Sequence, residues 1–117
     1  ISELIYGLIN AFNLLPVGGI IVVVSFHSIE DKITKFFFNN YSKNENSSRY
    51  LPETNKKIKY FNLIHKKPIL PTRKEIILNP PSRSSKLRYA IKVKDNCDFS
   101  ELFKKFKYLI DIENLKF

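Results

Sequence analysis

The most informative stretch of the sequence is Gly18-Gly19-Ile20-Ile21-Val22-Val23-Val24-Ser25-Phe26-His27-Ser28. Five consecutive β-branched residues are typical of a strand that is buried on both faces, such as a parallel strand covered by helices on its two sides. The paired glycines before the run end the preceding element. We therefore predict an α/β fold with a parallel strand at residues 20–24, in a sheet larger than this chain alone supplies.

Amphipathic helices are predicted on both sides of this strand. Before it, apolar residues recur at spacings of three and four from Ile1 to Leu15, and Pro16 ends the pattern. After it, the residues at helical spacing are Ile29, Ile33, Phe36 and Phe37. Ser28 and Asp31 stand in the positions of a capping box at the start of this second helix.

The rest of the chain predicts a loop, two strands and two helices. Residues 39–55 have no periodicity and predict a surface loop, whose Arg49 and Tyr50 are weaker candidates for RNA contact. Residues 58–64 suggest a strand, and Thr72 is placed to cap a short helix. From Asp98 onward, apolar residues at helical spacing predict a C-terminal helix with Asp98 and Glu101 as its capping pair.

Residues 86–94 alternate between apolar and basic side chains, as a half-buried strand does. The expected core face carries Leu87, Tyr89, Ile91 and Val93. The expected solvent face carries Lys86, Arg88, Lys92 and Lys94. On this prediction, the strand presents a row of cations to solvent.

The composition limits the class of protein. Of the 117 residues, 44% are apolar and 14% aromatic, which is enough for a core and excludes a disordered tail. The apolar run of residues 18–24 is shorter than the roughly 20 residues of a membrane span, and no signal segment is recognisable. One cysteine and two histidines cannot assemble the usual zinc site. We expect a cytoplasmic protein without membrane association or bound metal, and, since the sequence begins at Ile1 and lacks methionine, a longer native polypeptide.

Positive charge is concentrated in the middle of the chain. Residues 1–31 carry no Lys or Arg and three acids, residues 32–94 carry 16 bases and three acids, and residues 95–117 carry four bases and five acids. Such a block suits a polyanion, because bases that neutralise phosphates release counterions. The alternative is a solvated surface whose lysines reflect the Lys, Asn and Ile bias of the whole sequence.

Candidate chemistry follows the central strand. In open α/β sheets, ligands bind beyond the carboxyl ends of parallel strands, which is where Ser25, His27 and Ser28 are expected. His27 is a candidate general base or hydrogen-bond donor, and the serines are candidates to orient a substrate. The alternative is that Ser28 only caps the next helix and His27 is structural. No nucleophile elbow surrounds either serine, which disfavours a serine nucleophile.

A second candidate segment precedes the basic strand. Asn79-Pro80-Pro81 is followed by Ser82 where an amino-methylating enzyme would have an aromatic residue, so this tripeptide is interpreted as a rigid turn. The donors after it suit phosphate oxygens, with an exposed basic turn as the alternative. These donors are Arg83, Ser84, Lys86 and Arg88.

Together, residues 18–33 and 79–88 resemble the bacterial small-subunit rRNA cytosine-N4 methyltransferase family, the MraW or RsmH type. The two segments occur in the family's order, residues 66–76 are similar to a third family segment, and the resemblance covers residues 1 to about 94. Pro81 stands where the family usually has arginine, and Ser85 stands where it has alanine.

This resemblance implies a Rossmann-like, S-adenosylmethionine-dependent enzyme that methylates N4 of a cytidine in 16S rRNA. The chain is then the C-terminal part of the methyltransferase domain (residues 1–94) with an amphipathic helical extension (residues 95–117). Residues 20–25 become the fifth strand, and the strands near 58–64 and 86–93 become an antiparallel hairpin. The implied site has Ser25 and His27 at the pocket rim. The implied RNA contacts are Ser28, Asn79, Arg83, Ser84, Lys86 and Arg88.

The family's cofactor loop and ribose-binding acid lie upstream of the matching segments. The resemblance therefore implies that no residue of this chain binds S-adenosylmethionine and that the chain is inactive alone. The implied partners are the small ribosomal subunit, the N-terminal half of the enzyme and, in a homodimer, a second copy. Two other interpretations stay open: a stand-alone basic RNA-binding module, and a non-functional remnant with an exposed sheet edge.

Overall fold

The computed structural model describes residues 1–42 and 58–115 and contains a small sheet packed against helices. The elements in chain order are α1 (Ser2–Leu14), β1 (Ile20–Ser25), α2 (Ser28–Asn40), β2 (Phe61–Asn62), α3 (Arg73–Leu78), a 3₁₀ helix (Pro80–Ser84), β3 (Lys86–Lys92) and α4 (Ser100–Glu113). The predicted α/β content is confirmed. Asn39 and Asn40 belong to α2 and not to the expected loop, whereas Arg49 and Tyr50 lie outside the described residues.

The sheet has the strand order β1-β3-β2, and both neighbouring pairs are antiparallel. The antiparallel pairing of the two later strands is confirmed, although the expected strand of residues 58–64 is reduced to the two residues of β2. No strand within the described residues lies parallel to β1, so the prediction of a parallel strand is not met there. The turn into β1 depends on Gly18, whose φ of +94° disfavours any side chain.

One face of the sheet is covered by α1, α2 and α4, which share an aromatic core. Phe37 lies 5.1 Å from Phe61 and 5.7 Å from Phe99, measured between ring centroids. Phe12 of α1 lies 5.4 Å from Phe61 and 5.1 Å from Phe99. Edge-to-face pairs such as these add to the stabilisation from area burial. The core therefore joins all three helices to the sheet.

The opposite face of β1 is open within the described residues. Ile20, Val22 and Val24 are 54%, 55% and 49% exposed, whereas Ile21 and Ser25 are buried. The described residues therefore bury β1 on one face only, and burial of the second face in a larger sheet stays a prediction. The β-branched run fills one face with core contacts and leaves an apolar stripe on the other.

β3 presents its basic side chains to the core, the reverse of the prediction. Arg88, Ala90 and Lys92 are buried, and Leu87, Tyr89 and Ile91 are only half-buried. The register explains this orientation, because Ile21 lies opposite Ala90 and directly opposed residues share a face. Since side chains alternate, Arg88 and Lys92 must point inward with Ala90.

Lys92 is accommodated because the end of α1 supplies acceptors. Its side chain is 0% exposed, and its Nζ donates to the carbonyl oxygens of Phe12 and Leu15, both at 2.7 Å, and to Asp95 Oδ1 at 2.9 Å. The ammonium also lies 4.1 Å from the centroid of the Phe12 ring. Carbonyls in the last turn of a helix lack intrahelical partners and carry partial negative charge, which favours a cation there.

α4 packs into the common core through Phe99, Leu102 and Phe106, which are all buried. The N-cap residue of α4 is Phe99, without a side-chain cap within the described residues, so the predicted capping pair of Asp98 and Glu101 is not formed. Asp98 Oδ1 accepts from the Ser100 N–H at 3.0 Å, but the Glu101 carboxylate accepts from Asn40 Nδ2 at 2.8 Å and not from its own helix start. The division of the chain into a methyltransferase part (residues 1–94) and a helical extension (residues 95–117) stays a prediction.

Replacing Lys92 by Met keeps most of the buried side-chain volume but removes the ammonium. We expect Lys92→Met to lower the free energy of unfolding by about 2–4 kcal/mol, because the Phe12 and Leu15 carbonyls lose their charged donor and, among the described residues, the Phe12 oxygen keeps only the Leu15 N–H at 3.3 Å. Urea unfolding measures the change. The matched control is Lys94→Met, because Lys94 lies just beyond the end of β3 and is exposed, and we expect a change within about 0.5 kcal/mol. Equal losses in the two variants would contradict this account of Lys92.

Candidate functional site

The two segments that the sequence singled out meet at the carboxyl end of β1. Ser25, the last residue of β1, is paired with Lys86, the first residue of β3. This pairing brings the start of α2 next to the end of the 3₁₀ helix. Between them lies an open concavity of about 290 Å³, lined by Phe26, His27, Ser28, Asp31, Ser84 and Lys86.

The start of α2 leaves its first backbone amides available at this concavity. His27 is the N-cap residue, with extended backbone angles (φ −122°, ψ 146°), and within the described residues no side chain caps the helix. The predicted capping box of Ser28 and Asp31 is therefore wrong. A helix start whose N–H groups lack side-chain acceptors carries partial positive charge and favours an anion.

Asp31 is engaged by β3 instead. Its two carboxylate oxygens accept from Arg88 Nε at 2.8 Å and from a terminal guanidinium nitrogen at 3.2 Å, and Lys86 Nζ lies 3.6 Å from Oδ2. Both Asp31 and Arg88 are buried. Burial raises the pKa of Asp31, but the hydrogen bonds and charge of Arg88, with those of Lys86, outweigh burial and bring this pKa below its usual 3.8. The pair fixes α2 against β3 directly behind the concavity.

Four of the eight predicted site residues line the concavity: His27, Ser28, Ser84 and Lys86. Ser25 is buried beside the concavity. Arg83, on the 3₁₀ helix, and Asn79, the residue before that helix, are exposed and do not line the concavity. Arg88 was expected on the solvent face and is instead buried against Asp31. Its guanidinium is therefore a structural group here, because both of its hydrogen bonds point to the carboxylate.

Sequence reasoning missed the role of Asp31 in this site. Asp31 is the fourth residue of α2, which suggested a capping role, but its hydrogen-bond partner Arg88 is 57 residues away in the sequence. Only the opposite charges of the two motif segments were visible in the sequence. Local spacing carries no information about a pair formed across a sheet.

The described residues contain no cluster of three or more His, Cys, Asp or Glu side chains that could hold a metal ion. Rossmann-type nucleotide sites use a glycine-rich turn and an acid at the carboxyl end of a strand. The described residues do not supply this combination, because Gly18 and Gly19 lie at the opposite end of β1 and Asp31 is bound to Arg88. The described helices are also too short or too polar to cross a membrane.

Removing the Asp31 carboxylate leaves a buried guanidinium without its counter-charge. We expect Asp31→Asn to lower the free energy of unfolding by about 3–5 kcal/mol at pH 7. Because the pKa of Asp31 is lowered in the folded protein, the ion pair contributes fully above about pH 4 and its contribution is lost as the pH falls through the lowered value.

Urea unfolding at pH 7 and at pH 3 tests both statements about Asp31, since the difference between wild type and Asp31→Asn should shrink in acid. Glu30→Gln is the control, because Glu30 is the preceding residue on α2 and forms no salt bridge with a described residue. A loss of stability that is equal in size for both substitutions would show that the Arg88 pair is not the cause.

Comparison with known proteins supports the grouping of these segments. Residues 2–93 match the MraW methylase family. The chain is 44% identical over 88 residues to the ribosomal RNA small subunit methyltransferase H of Rhodopseudomonas palustris (strain BisB18), an alignment that covers 75% of this chain and 27% of the relative. The enzymes of the same name from Xanthobacter autotrophicus and Bartonella henselae are 42% identical over 90 residues and 39% identical over 102 residues.

These alignments cover 77% and 87% of this chain, and 26% and 30% of the two relatives. The chain thus spans about a quarter of the length of the curated relatives that it matches. The family match includes both segments that border the concavity and the strand pair that joins them. The chain belongs to the MraW methylase family.

Proposed function

We propose that this chain is part of an S-adenosylmethionine-dependent methyltransferase that modifies N4 of a cytidine in the 16S rRNA of the small ribosomal subunit. Family membership and the names of the relatives support a methyltransferase that acts on small-subunit rRNA. The cytidine N4 specificity comes from the resemblance of the two motif segments.

The observation that carries this proposal is the concavity at the carboxyl end of β1. It combines the uncapped start of α2 with the Lys86 ammonium and the hydroxyls of Ser28 and Ser84. Backbone amides, hydroxyls and one ammonium are the groups that bind phosphate oxygens in RNA. The site therefore suits an RNA phosphate close to the modified nucleotide.

The proposed roles follow from the placement of each side chain. Lys86, Ser28 and Ser84 bind phosphate, while Arg83 and Asn79, exposed on the neighbouring segment, contact RNA outside the concavity. His27 and Ser25 act at the rim of the catalytic pocket, where the His27 ring is available as a hydrogen-bond donor or acceptor. Arg88 acts indirectly: it positions α2 and β3 through Asp31.

We propose that the remainder of a larger Rossmann-like enzyme binds the cofactor and covers the open face of the sheet. The half-exposed Ile20, Val22 and Val24 support this arrangement, because isolated soluble domains rarely expose a continuous β-branched stripe. The order β1-β3-β2 is compatible with the predicted fifth strand and closing hairpin. On this proposal, the 117 residues alone are inactive.

Methyl transfer tests the enzymatic part of the proposal. The longest native polypeptide that carries this chain should transfer a labelled methyl group to small ribosomal subunits, and nucleoside mass spectrometry should identify N4-methylcytidine. We expect His27→Ala to lower kcat about tenfold, equivalent to about 1.4 kcal/mol at the rim. His65→Ala is the control, because His65 is exposed and its ring contacts Tyr89 away from the concavity. RNA binding without any methyl transfer would favour the stand-alone RNA-binding module.

Salt-dependent RNA binding tests the phosphate contacts. We expect the double substitution Arg83→Ala and Lys86→Ala to weaken binding to small-subunit rRNA and to reduce the slope of log K against log salt by about 1–2 units. The matched control removes Arg73 and Lys74, an exposed Arg–Lys pair on α3. An unchanged slope in the Arg83 and Lys86 variant would remove both residues from the RNA interface.

A further inference from the structure

A second concavity lies between α2 and α4, separate from the one at the end of β1. We call it the α2–α4 groove. Its volume is about 280 Å³, and its lining consists of Lys32, Lys35, Phe36, Asn39, Asn40, Lys105 and Phe106. Three lysines from two helices about 70 residues apart in the sequence therefore converge on one surface.

Helix geometry places these lysines outside the core. On α2, Ile33 and Phe37 are buried, and Lys32 and Lys35 lie on the exposed side. On α4, Phe106 is buried, and its ring meets the Phe36 ring edge-on at 5.6 Å between centroids. This aromatic pair joins the two helices at the floor of the groove. Lys105 Nζ lies 6.0 Å from the centroid of the Phe36 ring, so its charge is held over the groove.

The lysines of the groove are not paired with acids in the described part of the chain. No acid contributes to the described lining, and Lys32, Lys35 and Lys105 form no salt bridge with a described residue. The two lysines on β3 behave differently, since Lys86 lies near Asp31 and Lys92 is bound to Asp95. The Glu101 carboxylate, on the neighbouring surface, accepts a hydrogen bond from Asn40.

We propose that the α2–α4 groove binds the phosphate backbone of the RNA substrate at a second place, away from the modified nucleotide. This inference rests on the proposed rRNA substrate. Ser28 at the first concavity and Lys35 in the groove are seven residues apart on α2, which corresponds to roughly 10 Å along the helix axis. One RNA strand that follows α2 therefore reaches both places.

An extended polyanion fits this groove better than a small anion does. The ammonium groups are spread along an open surface that Phe36 and Phe106 also line, as in grooves that track a nucleic-acid backbone. Family membership does not imply this groove, because the family match ends at residue 93 and Lys105 and Phe106 lie on α4 beyond it.

The test compares two variants that each remove two positive charges. The groove variant carries Lys35→Gln and Lys105→Gln, and the control variant carries Lys104→Gln and Lys107→Gln, which are exposed on α4 but do not line the groove. Both are made in the longest native polypeptide that carries this chain, and binding to small-subunit rRNA is measured from 50 to 300 mM KCl. We expect the groove variant to bind roughly tenfold more weakly near 150 mM salt, with a slope reduced by about 1.5 units.

The control variant should change the slope by less than about 0.5 units. Equal reductions in both variants would overturn the proposal, because the lysines of α4 would then act only as diffuse charge. Unchanged binding in the groove variant would also overturn it. If Arg83→Ala and Lys86→Ala weaken binding in the same experiment, only the groove has failed. If the wild-type protein does not bind rRNA at all, the proposed function has failed as well.

Discussion

The bidentate ion pair between Asp31 and Arg88 connects the two parts of the chain on which the site depends. Asp31 belongs to the first turn of α2, and Arg88 is the third residue of β3. Their side chains are buried, so the attraction is screened less than it would be at the surface, and the fork geometry fixes the direction of approach. Strand pairing places the end of β1 beside the start of β3, and this ion pair fixes the start of α2 against β3, so that the two segments border one concavity.

The same constraint explains why β3 has charged residues on its core side. A buried cation is tolerated only where partners replace the water that it loses. Arg88 finds a carboxylate, and Lys92 finds two carbonyls at the end of α1 together with Asp95. Each cation therefore links the sheet to one helix terminus. Arg88 binds the start of α2, and Lys92 binds the end of α1. Their hydrogen bonds are directional, so each cation selects one particular set of acceptors at a helix terminus.

The sequence predicted those features that depend on local spacing. The stripe of α1, the strand at β1, the Thr72 cap of α3 and the position of His27 at the strand end all follow from residues close to one another. The orientation of β3 did not follow, because period-two alternation separates two faces without showing which one meets the core. That choice depends on the register with β1 and on partners for Arg88 and Lys92 at separations of 57 and 80 residues. The prediction that Asp31 caps α2 failed for the same reason, since its partner Arg88 is 57 residues away in the sequence.

Because these two cations are buried, not all of the positive charge of residues 32–94 is available at the surface. A lysine-rich composition on its own scatters charge over a solvated surface, and this alternative could not be separated from RNA binding by counting residues. The fold separates these charges. Arg88 is paired with the buried Asp31, and Lys92 is paired with the exposed Asp95. The lysines of the α2–α4 groove converge on one surface, and no described acid lines that surface. Convergence from two distant helices requires a specific packing of α4 on α2, which the Phe36 and Phe106 rings provide. Composition supplies the lysines, but only this packing brings them together, and their placement along α2 from the first concavity is the arrangement that a single polyanionic strand needs.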